Sequence, residues 1–324
     1  MKRITFYTTV FIFFLSFTIL SAGNYSFDFL ELGVGTRAKA LGGSFVSVAD
    51  DGSSILWNPA GTSRISSSRF YFMHNSNFAG MSNIDYISFI KPIVARSFFS
   101  IALIRHSVND IPIFPELEGT PEERDTTPAM QGDGNPMGFF GEKANIYFIN
   151  LSKLFEIKNL NFSLGGNFKY FDETFRVFDA DYGGTGIGVD IGGIITLKTK
   201  KIPGRLTIGL NLQDATGTQI LWNTTSQKKD IIPTNYRFGL NYRKEVEKIE
   251  SSFLLTFDYN TRYDGSQHTG LEYSYKENFL VDIGWNKGRW SFGTGFKFWK
   301  IGIQYGFISH TLGPSHSVSM EFIL

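Results

Sequence analysis

From Arg205 to the C-terminus the chain alternates apolar and polar positions with period two. Residues 205–213 put Leu206, Ile208, Leu210 and Leu212 on one face, and Thr207, Gly209, Asn211 and Gln213 on the other. The same pattern recurs at 236–243, 253–260, 268–276, 279–286, 290–298, 301–307 and 317–324. Period two predicts strands whose faces meet different surroundings. Noisier versions at 67–74, 84–90, 98–106, 142–151, 160–171 and 186–197 bring the expected number of strands to fourteen. An even number suits an antiparallel sheet that closes on itself with both ends on one side. Among the first gaps between strands, long and short alternate, as expected when long loops gather at one end and short turns at the other.

Composition decides what such a sheet encloses. Phe occurs 33 times, Gly 34 times, and aromatic residues make up 16 % of the chain. Half-exposed soluble strands rarely carry Phe, Tyr and Trp on one face over so many consecutive segments, which argues against a soluble sandwich. The expected fold is therefore an all-β transmembrane antiparallel barrel of about 14 strands, with apolar side chains toward lipid and small or polar ones toward the lumen.

The N-terminus adds a destination. Met1-Lys2-Arg3, an apolar run from Phe6 to Leu20, and then Ser21-Ala22-Gly23 read as an export signal cleaved near Ala22 or Gly23. The sequence contains no cysteine, so neither a lipidated N-terminus nor disulfides nor thiolate metal sites are expected. Lys and Arg total 31 against 30 Asp and Glu. Losing Lys2 and Arg3 with the leader leaves about one net negative charge, which gives no reason to expect a nucleic-acid partner. The expected division is 1–23 signal peptide, 24–65 a small plug inside the lumen, and 66–324 barrel.

The plug reads as a compact segment of small residues. Gly33, Gly35, Gly42, Gly43, Gly52 and Gly61 allow close backbone approach. Residues 36–41 predict a helical turn ended by Gly42-Gly43, and 44–48 alternate like a brief strand. Asp50-Asp51 would cap a second short helix running to Trp57. Asn58 precedes Pro59 and is pushed out of the helical region, so the chain must turn there.

Within this stretch Arg37-Ala38, Leu41-Gly42-Gly43, Phe45-Val46, Ala49-Asp50-Asp51 and Trp57-Asn58-Pro59-Ala60-Gly61 resemble the N-terminal signature of the FadL superfamily of outer-membrane barrels, the OMPP1/FadL/TodX type. The chain end, Ile303 to Phe307 followed by His310 to Ser319, resembles the closing hairpin of its PorV/PorQ-like branch. The specific motifs span about 50 residues, and the rest agrees in strand number and pattern. The resemblance implies a fourteen-stranded barrel in the outer membrane of a diderm bacterium, with the N-terminal segment as a hatch. It implies passive uptake of hydrophobic compounds such as long-chain fatty acids, a lumenal apolar pocket, and a sideways exit into outer-membrane lipid. Hatch and gating residues carried over are Asn58, Pro59, Ala60, Asp50, Asp51 and Trp57. Barrel-assembly machinery is the expected biogenesis partner. The alternative the branch implies is a carrier that hands cargo to secretion-system proteins, or a structural component of the outer membrane.

Other chemistry is thin. Glu116, Glu118, Glu122, Glu123 and Asp125 cluster in a long connection but lack ordered calcium-ligand spacing. Gly183 to Gly188 lacks the lysine and the following helix of a phosphate loop, and reads as a strand with room on its lumen side. His74, His106, His268, His310 and His316 have no zinc-type spacing and fall near predicted outer loops. No serine-histidine arrangement marks a hydrolase, so no enzyme activity, cofactor or metal is expected. Gln219-Ile220-Leu221-Trp222 is expected to line an entrance or a partner surface. A channel should show lumen-facing aromatics, an apolar pocket beneath the long loops and a break in strand pairing; a scaffold should show a filled, polar lumen.

Overall fold

The computed structural model describes residues 26–115, 119–120, 123, 134–157, 160–178, 180–197, 203–225, 228–262 and 265–324. The expected leader, and four of the five acidic residues of the long connection, lie outside the described residues. Sixteen strands form one sheet. In chain order they are β1 Arg69–Asn77, β2 Ser82–Pro92, β3 Ser97–Ile113, β4 Gly138–Ile157, β5 Leu160–Val177, β6 Ala180–Leu197, β7 Arg205–Gln213, β8 Thr218–Trp222, β9 Lys229–Ile232 and β10 Asn235–Val246. The remainder are β11 Ser251–Asn260, β12 Ser266–Tyr275, β13 Phe279–Asn286, β14 Arg289–Phe298, β15 Ile301–Ile308 and β16 Ser315–Ile323.

Fourteen of these close a barrel. Neighbours in sequence pair antiparallel, β7 pairs with β10, and β1 pairs with β16 in the register Phe70↔Phe322 and Phe72↔Met320. No edge strand remains within the closed ring, so its backbone groups are satisfied inside the wall, as a bilayer requires. The alternation has inverted meaning relative to a soluble protein. Leu210 is 59 % exposed while Asn211 beside it is 2 % exposed, and Leu255 at 60 % adjoins Thr256 at 1 %. Apolar side chains coat the outside and polar ones are shielded within, the arrangement of a membrane barrel.

Two features extend the expected pattern. Strands β3 to β6 run to as many as 20 residues, against the roughly 9–11 that a tilted strand needs to cross a bilayer. They project beyond the rest of the wall at the end that carries the long connections. The β7–β10 connection, expected to be open loop, folds into the hairpin β8–β9. It docks on β6 through Gly184↔Trp222 and Gly186↔Ile220. The Gly183 to Gly188 run explains the docking. A Cβ on Gly186 would fall 2.5 Å from the Ile220 side chain, and one on Gly188 2.5 Å from the Thr218 hydroxyl. Ile220 is fully buried and Trp222 bonds Asp230 and packs against Phe175. That stretch is therefore a wall element and not a free surface loop.

Candidate functional site: the segment inside the barrel

Residues 26–65 lie inside the lumen, and nearly every residue from Gly33 to Ser63 is buried. The segment is built from short pieces because it contacts wall strands on every side. A 3-10 helix spans Asp28–Leu32, α1 spans Thr36–Ala40, α2 spans Ser54–Trp57, and a second 3-10 helix spans Pro59–Arg64. Gly42 and Gly43 end α1 with φ of 69° and 79°, the left-handed region that glycine enters without penalty.

Residues 44–48 form a turn and not the expected strand. The amides of Phe45 and Val46 both donate to one oxygen of Asp258 on β11 at 2.7 Å, and Ala49 N–H donates to the Phe45 carbonyl. With the barrel closed, no sheet edge is left to receive a strand there, and a wall carboxylate takes the place of a ladder partner. The expected capping is divided. Asp51 accepts from the Ser53 amide at 2.8 Å and its hydroxyl at 2.6 Å, ahead of α2. Asp50 caps nothing; it pairs with Arg37 at 2.6 Å.

Asn58 leaves the helix with φ −160° and ψ 110°, as the following proline demands. Its Nδ2 lies 3.0 to 3.3 Å from the carbonyls of Val46, Gly193 and Leu210, and its Oδ1 accepts from Ala60 N–H. One amide thus ties the segment to itself, to β6 and to β7. The wall makes room through glycine. A Cβ on Gly192 would fall 2.1 Å from Asn58 Oδ1, and one on Gly165 would fall 2.3 Å from the Pro59 carbonyl oxygen. Gly209, Gly270 and Gly284 admit Val46, Leu41 and Gly42 in the same manner. These wall glycines are the site residues that sequence reasoning missed. Their signal was glycine recurring at lumen-facing positions of successive strands, where alternation required only something small or polar. Trp57 donates from Nε1 to the Val34 carbonyl at 2.7 Å, and Asn211 donates to the Trp57 carbonyl.

Charge fixes the lower part of the segment. Arg37 bridges Asp50 and, at 2.5 Å, Glu272 on β12; Arg243 on β10 reaches Glu272 at 3.2 Å. Burial raises the Asp50 carboxyl, but Arg37, Arg243 and Arg64 outweigh it and bring it down to about 2. Asp51 moves the other way, to about 6, because burial dominates and Arg37 offsets it only in part. Its Oδ2 has no hydrogen-bond partner. Thr36 stitches the closing seam from within, accepting from or donating to Ser317 on β16 at 2.9 Å while its amide bonds the Tyr71 hydroxyl on β1.

Nearer the long connections the β2–β5 side of the lumen is largely apolar. Ile84, Tyr86, Ile104, Ile146, Phe148 and Phe171 point inward from β2 to β5. The chain's own aromatics fill the space between them: Phe27 meets Phe171 edge-on at 4.9 Å, and Phe29 stacks on His106 at 4.3 Å. The segment and these wall residues thus form one buried apolar cluster. A cavity of about 610 Å³ lies at the opposite end and is lined by charges of both signs, among them Arg205, Glu245 and Lys276. The histidines do not all belong to exposed loops. His268 is buried, with Nδ1 2.7 Å from the Gly42 carbonyl. Among the described residues no group of His, Asp and Glu is arranged to hold a metal.

Residues 17–108 match the uncharacterised protein family UPF0164. No curated protein matches the chain. Among solved structures, the deltaS2S3 mutant of the TodX monoaromatic hydrocarbon channel is similar with a TM-score of 0.57 at 10 % identity, over 89 % of this chain and 97 % of that one. A Pseudomonas aeruginosa FadL homologue is similar with a TM-score of 0.53 at 9 % identity, over 90 % and 98 %. The likeness runs over whole barrels and is one of fold: the chain has the architecture of a FadL-type barrel.

Proposed function

We propose that the protein is an outer-membrane channel for passive uptake of hydrophobic compounds such as long-chain fatty acids. Residues 24–65 serve as its hatch after the leader is removed near Ala22 or Gly23. Asn58, Pro59 and Ala60, with Asp50, Asp51 and Trp57, form the gating part. The observation that carries this reading is the half-apolar lumen. Phe27 and Phe29 stand where an apolar solute would stand, among inward-facing Ile and Phe side chains. A lipophile that displaced them would exchange one apolar contact for another. A route through water would instead cost about 0.8 kcal/mol per methylene. The similar TodX barrel is itself a monoaromatic hydrocarbon channel.

The seam between β6 and β7 supports a lateral route. β7 pairs with β6 only up to Ile191, and β8 takes over only at Gly186. Between them the Ala215 amide donates to the Val189 carbonyl at 2.8 Å. The Asp214 amide donates to the Asp190 carboxylate in the same stretch, so side chain and loop stand in for the ladder there. The test is native mass spectrometry with lipid extraction, paired with uptake by a diderm host lacking its own hydrophobic channels. Co-purified lipophile and uptake altered by Asn58→Ala with Pro59→Ala are expected. An empty barrel whose host takes up nothing above background would sink the reading.

A second reading, a PorV/PorQ-like secretion carrier or structural barrel, draws on the projecting β3–β6 wall, where Phe114, Met137, Phe139 and Phe178 are exposed. Recovery of a specific protein partner together with an empty lumen would favour it.

A further inference from the structure

Between the segment and the long-loop end lies a second cavity of about 80 Å³. Lys39 from α1, Arg237 from β10 and Arg289 from β14 share its lining with a single carboxylate, Glu31. Glu31 is already drawn to Arg262 at 3.6 Å. Lys39 is only 7 % exposed, yet among the described residues its ammonium has no ion-pair partner and no hydrogen bond. Arg237 is 6 % exposed; its guanidinium lies 4.6 Å over the Trp57 ring and 3.5 Å from the Gly43 carbonyl, and its Nε has no partner. Arg237 feels Glu31 and Asp258 without an ion pair to either, and Lys39 has no carboxylate near enough to act on it. A buried cation without a counter-charge is costly.

We propose that this cavity is an oxyanion site that takes a phosphate group, which supplies the missing counter-charge for Lys39 and a hydrogen-bond acceptor for the Arg237 guanidinium. The cations come from three separate elements around one cavity. A tetrahedral phosphate has three or four oxygens to share among them, whereas a planar carboxylate has two. The volume admits several waters or one such group, and no acyl chain. Burial alone pulls the Lys39 ammonium from 10.5 to about 7, and an anion beside it would restore its charge. The phosphate could be free or the headgroup of an amphiphile, and the proposal is independent of what the channel carries.

The test uses the mature full-length protein in a neutral maltoside detergent and phosphate-free buffer, with calorimetric titration. One arm adds inorganic phosphate, and the other adds 1-acyl lysophosphatidate in mixed micelles. Saturable binding at one site per chain is expected in at least one arm, weakened at least tenfold by Lys39→Met and retained by Lys39→Arg. Binding in the first arm assigns a free anion; binding in the second alone assigns a headgroup. Lys39→Met keeps the stem and removes an uncompensated charge, so its barrel should melt no lower than wild type in phosphate-free buffer. Should it fail to fold, Arg237→Gln takes its place. Absence of binding in both arms, or equal binding by the variant, would overturn the proposal.

Discussion

The two sides of the lumen hold the same segment by opposite means. From β6 round to β16 the wall is glycine, hydroxyl, amide and charge, and the segment is seated in it backbone against backbone. At the long-connection end of β2 to β5 the wall is Ile, Phe and Tyr, and there it holds Ser26 to Phe29 through ring contacts and one bond from Ser26 to Glu173. Nearer the other end of the same strands Tyr86, Ser88, Asn150 and Asn167 donate to the carbonyls of Gly52, Pro59 and Ile55 and belong with the polar side. Directional bonds and sub-van-der-Waals seats tolerate no displacement, whereas apolar contacts accept any occupant of about the right size. The difference separates an anchor from a displaceable stopper within one short stretch of chain.

The largest expected effect breaks the anchor. Gly192→Leu drives a side chain into Asn58 and Pro59, and should cost the segment more than about 4 kcal/mol of local stability. Amide hydrogen exchange across residues 45–62 would then approach unstructured rates while the barrel keeps its heat-modifiable mobility on gels. Arg37→Met comes next, leaving the buried Glu272 with Arg243 as its remaining ion-pair partner; about 3 kcal/mol is expected, read by the same exchange experiment.

Asp51→Asn sharpens the contrast in the other direction. The Asp51 carboxyl sits above its ordinary value of 3.8, at about 6, so its ionisation opposes folding. That penalty is absent below about pH 4, grows between 4 and 6, and is complete above 6. The substitution should stabilise the segment by about 2–3 kcal/mol at pH 8 and by nothing at pH 4. Asp50 has the reverse sign: its pairing with Arg37 is fully present above 3.8 and fades as pH falls toward 2. Wild-type protection corrected for intrinsic exchange should therefore peak near pH 4. The smallest effect belongs to the stopper. Phe27→Ala should cost about 1.5–3 kcal/mol, confined to residues before Gly33, and added lipophile should restore most of it. A loss that spread to Asn58 would erase the distinction between the two sides.

The barrel was legible because lipid imposes alternation on every strand, and all fourteen expected strands are in the closed ring. Legibility failed where lipid ends. Residues 107–113 and 172–177 have no buried position, so neither face is set apart from the other, and the strands run further than the pattern showed. The hairpin β8–β9 escaped because strands of five and four residues carry too few positions for a period. In the segment, local signals worked: Gly42-Gly43 ended a helix, and Pro59 turned the chain at Asn58. What could not be read was long-range. Nothing in residues 44–48 shows that Asp258, more than two hundred positions away, will claim two of their amides. Nothing near Lys39 announces that no carboxylate will arrive.

Thr36 touches both strands of the seam at which the ring shuts, and Leu324 donates its amide to the Ser68 carbonyl just ahead of β1. That arrangement constrains the order of assembly. The segment precedes every strand of the ring along the chain, and β16 follows all the others. If the ring zipped first, about forty residues would have to thread back through a mouth already crowded with side chains. If the segment instead lies against β1 while the remaining strands are added, closure by β16 wraps it in place. Thr36 is then a checkpoint: the final strand finds its hydroxyl partner only when the inside has already been furnished.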